Sequence, residues 1–111
     1  MVARGLQVEV LFEATQASGR EAAPDLSGDG YRSLASAGAH AGFDLSVEHF
    51  GILLKSGPSR VVPGESVTAQ LFALVHEPAI DELLAAGVFT VFEPPHVVAR
   101  GRVLGVIGGA V

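Results

Sequence analysis

Four histidines and six arginines are the side chains of this sequence best suited to acting on a substrate or gripping a ligand. His40, His49, His76 and His96 are scattered, and none has a second histidine or a carboxylate at the spacing of HExxH or HxH. They read as surface or strand-end histidines, with no metal expected. Serine catalysis needs a partner base and an oxyanion hole, and no GxSxG elbow accompanies the serines. The stretch "GDGYR" resembles half of a GxGxxG fingerprint, but it opens no helix and belongs to no βαβ unit. Glu65, Glu77 and Glu82 are candidates for paired carboxylates. The simpler reading is solvated charge, with Asp81 and Glu82 placed where a helix N-terminus favours it. No catalytic residue and no cofactor site is expected.

The arginines are more specific. Arg20 and Arg32 bracket the loop-like stretch 18–32, which also holds Tyr31, the chain's single tyrosine. Arg100 and Arg102 lie two apart, hence on one face of a strand. Their planar guanidinium forks would suit a carboxylate or another anion. The competing reading is a solvated exterior with ion pairs to carboxylates such as Glu9 or Glu13.

The elements that would carry these residues are strands. In "GLQVEVLFEA", Leu6, Val8, Val10 and Phe12 share one face, and Gln7, Glu9 and Glu13 share the other. The same alternation runs through "AGFDLSVEHF" (41–50), "SVTAQLFALVH" (66–76), "GVFTVFE" (87–93) and "HVVARGRVLGVI" (96–107). In the last, small residues recur at Ala99, Gly101 and Gly105, which suits a tightly curved sheet. Turn signals at 27–30, 55–59 and 62–66 separate the runs, Pro63-Gly64 fitting a type II turn. Only "PAIDELLAAG" (78–87) has helical spacing, which predicts a short helix near 79–86 stopped by Gly87. These patterns predict one all-β domain over 1–111, a sandwich or small barrel.

Composition narrows the partners. Hydrophobic content is 49% and charged content 17%, values of a folded chain with a core of its own. A formal charge of −5, without any basic run, removes the counterion-release driving force on which nucleic-acid binding depends. The absence of cysteine excludes disulfides and thiolate chemistry. The N-terminus turns polar too soon for a signal peptide, and the longest apolar run (103–111) is short of the roughly 20 residues of a membrane span. A cytoplasmic protein is the expectation.

In their order, these motifs resemble the C-terminal, third-domain β-barrel of elongation factor Tu. "VEVLFEA" (8–14) stands for the first strand, and "SGREAAPDLSGDGYR" (18–32) is similar to the GGR…GYR segment through Gly19, Arg20, Gly30, Tyr31 and Arg32. "VVPGESVTAQLFALVHEPAI" (61–80) resembles the PGD turn and the strand after it, and 87–107 resembles the final hairpin. The resemblance spans nearly the whole chain. It implies a closed or nearly closed antiparallel Greek-key barrel of about six strands. Three features depart from the family: no GTPase domain, "SLA" after Tyr31-Arg32 where the family has Pro-Gln-Phe, and "EPPH" at the hairpin tip. What the resemblance implies is therefore a scaffold, with tRNA contact disfavoured by the charge.

Three functional readings follow, in order. The first is a non-catalytic interaction module whose partner is a protein, with Phe72 and Phe89 as an outer apolar patch if both face outward. The second is a translation accessory, which requires Arg20, Arg32, Arg100 and Arg102 to converge. The third is a small-molecule binder or enzyme with a pocket near His49 and Glu48. Oligomeric state is left open by the sequence.

Overall fold

A computed structural model of the chain describes residues 2–13, 24–28, 30–44, 46–94 and 96–109. Six strands and one helix follow in order: β1 (Val2–Phe12), β2 (Tyr31–Ala37), β3 (Phe50–Lys55), β4 (Ser66–Ala73), α1 (Ala79–Ala86), β5 (Val88–Glu93) and β6 (His96–Gly109). All strand pairs are antiparallel, and the ring closes in the order β1-β4-β3-β2-β5-β6. β2, β3 and β4 form a meander and β5 returns to lie beside β2, which is Greek-key connectivity. The expected small all-β barrel with one short helix is the fold observed.

The alternation places the core. Leu6, Val8, Val10 and Phe12 of β1 point inward beside Ile52 and Leu54 of β3 and Ala69 and Leu71 of β4. Gln7, Glu9 and Leu11 point outward. Two of the three register irregularities among the described strands bend the barrel near its middle. One lies between β1 and β6, where Leu104 is the extra residue between the pairs Gln7–Gly105 and Val8–Val103. The other lies between β5 and β6, where Val98 is extra and both Val98 and Ala99 are buried in the core.

Each barrel mouth is stoppered. At one, Leu26 and Val61 are buried, the 26 and 57–58 backbones exchange hydrogen bonds, and the Tyr31 ring meets Phe12 edge-on at 5.8 Å. At the other, α1 sinks Ala79, Ile80 and Leu83 into the core. It ends at Gly87, whose N–H bonds the Leu83 carbonyl. Arg4 on β1 ties the outer side of α1 to the barrel, donating to Glu77 at 2.8 Å and to both oxygens of Asp81 at 2.7 and 3.1 Å.

The alternation over 41–50 does not mark a strand. Residues 38–44 and 46–49 lie over the outer face of β2 and β5, and the strand that does form there, β3, starts at Phe50. Phe43 packs edge-on against Phe92 at 5.7 Å. Phe92 is 1% exposed although it lies outside the barrel core, so this segment builds a second, smaller apolar layer. Hydrogen bonds fasten it, among them those of Thr90 Oγ1, which accepts from the His40 N–H and donates to the Gly38 carbonyl, and of Ser36 Oγ, which donates to the Glu48 carbonyl.

Candidate functional site

Arg100 and Arg102 leave the same outer face of β6, beside Glu9, Leu11 and Ser66, and line a shallow groove of about 250 Å³. Arg102 Nε meets Glu9 Oε1 at 2.7 Å, and an Arg100 terminal nitrogen lies 3.6 Å from Glu13 Oε1. Arg100 also donates to the His40 carbonyl at 2.8 Å, anchoring the covering segment from beneath. Exposed pairs of this kind contribute at most about 1 kcal/mol each. Their consequence is electrostatic: each guanidinium has a carboxylate beside it, so the groove is close to neutral.

The other named residues sit elsewhere. Arg32 is exposed at the start of β2, whereas Ser36, further along the strand, is the β2 residue level with Arg100 through Thr90. Among the described residues the Arg32 side chain has no hydrogen bond or ion pair. Arg20 lies outside the described residues. The Tyr31 hydroxyl bonds the Glu93 carboxylate, joining β2 to the end of β5. Arg32 is thus not gathered with Arg100 and Arg102. The outer patch imagined for Phe72 and Phe89 does not form either. Phe89 points into the core, while Phe72 is half-buried, with Lys55 Nζ 5.9 Å from its ring centre.

The histidines divide into a cluster and two outliers. His49 and His40 flank Phe92, with ring centres 5.0 and 6.4 Å away, and Phe43 lies 4.6 Å from His49. The Asp44 carboxyl is held below its usual range, first by the Ser46 N–H and hydroxyl, with a smaller contribution from the two histidines. His49 Nε2 is buried with no hydrogen-bond partner among the described residues. Its ring serves as a wall of the outer apolar layer, and no trio of metal-binding side chains forms among the described residues.

A second depression opens at the α1 mouth. It has a volume of about 360 Å³ and lies between α1, the end of β2 and the approach to β3. Ala37, Val47, Phe50 and Ala85 give it an apolar lining, and Glu48 and Glu82 bring carboxylates to it. Phe50 is held in place by a parallel stack on His76, with centres 6.0 Å apart and planes 7° apart. Glu82 and Ala85 are three residues apart in α1 and therefore share one side of it, away from the buried Ile80 and Leu83. Around this mouth stand Leu74 and Val75 after β4, Leu84 on α1, Val88 at the start of β5, and Leu104 and Val106 on the stretch of β6 beyond its β5 pairing, all exposed.

The sequence named Glu48 as a pocket residue, but with His49, which faces the other way into the Phe92 layer. Glu82 was named there with Glu65 and Glu77 as a candidate paired carboxylate and, more simply, as a helix-start charge, not as a neighbour of Glu48. The usable signal was the spacing of Glu82 and Ala85 on the polar side of α1. No family model matches the chain, and no curated protein shows a significant sequence match to it.

Proposed function

We propose that this chain is a non-catalytic interaction module that docks a protein partner on the α1 mouth of its barrel. The observation that carries this is the concentration of exposed apolar side chains there. Of the eight large hydrophobic residues exposed among those described, Leu74, Val75, Leu84, Val88, Leu104 and Val106 stand at this mouth, Val75 at 95% exposure. Scattered single apolar residues are ordinary on a surface, whereas a gathered set rimmed by charge marks an interface. The rim here is acidic, formed by Glu48, Glu77, Asp81 and Glu82.

The six-strand antiparallel barrel is compatible with the scaffold of the third domain of elongation factor Tu, and the order of sequence motifs supports that ancestry. A contact with tRNA draws no support from the arginines, because Arg100 and Arg102 are matched by Glu13 and Glu9. His40, His49, His76 and Tyr31 likewise serve packing and strand joining, which favours binding over catalysis.

The test is capture of partners from native lysate by tagged protein, compared with Val88→Asp and Leu104→Asp variants whose folding is checked by circular dichroism. The expected result is a nuclease-resistant protein that both variants fail to hold. Capture of tRNA that vanishes with nuclease or salt, or equal capture by both variants, would overturn the proposal.

A further inference from the structure

We infer that the cleft between α1 and the approach to β3 receives one arginine or lysine side chain of the partner, presented on an apolar segment. The inference rests on the docking reading above and names what the partner must carry. Its starting point is which acidic groups lack a match. Glu9 and Glu13 meet Arg102 and Arg100, Glu77 and Asp81 meet Arg4, Asp25 and Asp44 take hydrogen bonds from Ser27 and Ser46, and Glu93 bonds Tyr31. Of the described acidic residues, only Glu48, Glu65 and Glu82 have no polar partner for their side chains. Glu48 and Glu82 line the same cleft, although one belongs to the approach to β3 and the other to α1.

The lining restricts what fits between them. A hydrated metal ion or a bare ammonium would satisfy the carboxylates and leave Ala37, Val47, Phe50 and Ala85 facing water. A purely apolar side chain would cover those residues and strip water from two unmatched charges, which is costly. An aliphatic stem that ends in a cation satisfies both, since long basic side chains lay their methylenes on apolar surface and keep the charge at the rim. The volume of about 360 Å³ is ample for one such side chain. The exposed Leu84 on the same helix and Leu74 beside Gly51 offer contacts to apolar residues flanking the basic one. The formal charge of −5 adds long-range attraction for a basic partner.

The test is a backbone-amide NMR titration of the full chain with the peptide acetyl-Ala-Leu-Arg-Leu-Ala-amide. The control is the same peptide with citrulline, which keeps the shape and loses the charge. The expected result is saturable shifts centred on Val47, Glu48, Glu82 and Ala85. Glu48→Gln, Glu82→Gln and the citrulline peptide should each weaken binding about three- to fivefold, and added salt should weaken it further. Equal binding of the citrulline peptide, unchanged binding by both glutamine variants, shifts centred on another face, or no binding at all would overturn the inference. Its failure is separable from that of the docking proposal. If lysate capture is lost in Leu104→Asp but kept in the Glu48→Gln, Glu82→Gln double variant, the mouth is the docking face and the cleft takes no cation.

Discussion

The ring of Phe89 lies across the backbone of Gly101, so closely that a Cβ placed on Gly101 would fall 2.2 Å from Phe89 Cζ. The two are cross-strand neighbours on β5 and β6, on the inner face. Interior space that alternating small residues would have left is filled by one ring. Gly101→Ala is therefore expected to destabilise the barrel by about 1–3 kcal/mol through overpacking. Combining it with Phe89→Leu should recover part of the loss, because the two changes act on the same space. Urea unfolding of both single variants and the double variant checks this; strictly additive losses would mean the ring and the backbone do not compete.

Arg4 joins the outer side of α1 to β1, and its effect carries a pH signature. The hydrogen bond from Arg4 holds the Asp81 carboxyl below its usual range. A carboxyl depressed in the folded state adds stability that is complete above its unfolded value, about pH 4. That contribution is lost as pH falls through the lower folded value. Arg4→Ala should lower the thermal midpoint at neutral pH by a small amount, and the gap should shrink steadily in acid. A gap that stays constant down to about pH 2 would assign the effect to packing of the arginine stem instead.

Thr90 is buried outside the core and serves the covering segment through two hydrogen bonds. Thr90→Val keeps the shape and removes both, leaving the His40 N–H without its partner. A cost of about 1–3 kcal/mol is expected. Hydrogen exchange should locate it, with faster exchange at the His40 amide and slower loss in β1 and β4. Uniform acceleration across the barrel would show that the cover and the core open together.

Gly30 sits at φ +84°, and a Cβ there would lie 2.6 Å from the Leu54 carbonyl oxygen. Both facts explain the glycine of "GDGYR" without any phosphate: it turns the chain into β2 against the end of β3. Gly30→Ala is expected to lose at least about 1–2 kcal/mol from backbone strain alone. Chemical denaturation measures this, and a neutral result would remove the account of the motif.

The parts of the fold visible in the sequence are those set by local pattern. β1 shows itself by four inward apolar residues at alternate positions, α1 by Ile80 and Leu83 between Pro78 and Gly87. The pairing of Arg102 with Glu9 follows from their being directly opposite on neighbouring strands. Where local pattern misleads, tertiary contact is the reason. Phe43 and Val47 alternate with polar residues as in a strand, yet Phe43 covers Phe92 on the outside. β3 hides because Phe50, Ile52, Leu53 and Leu54 run nearly unbroken, so no period distinguishes its faces. The cleft is invisible for a related reason: Glu48 and Glu82 belong to unconnected segments, and only the seating of α1 on the mouth brings them together.

The ring closes where β1 meets β6, a seam running from the pair Val2–Gly109 to the pair Phe12–Ala99. These partners are almost as far apart along the chain as any two described residues. The hairpin of β5 and β6 needs only a tight turn and the β2-β3-β4 meander only the connections 38–49 and 56–65, whereas the seam must wait for the first and last strands to find each other. Closure is thus a late event with a large entropic barrier, and the barrel should fold on the order of milliseconds to seconds. Substitutions along the seam, such as Val8→Ala, then act mainly by hastening unfolding. The durability of the closed form over time is therefore set at this one strand pair.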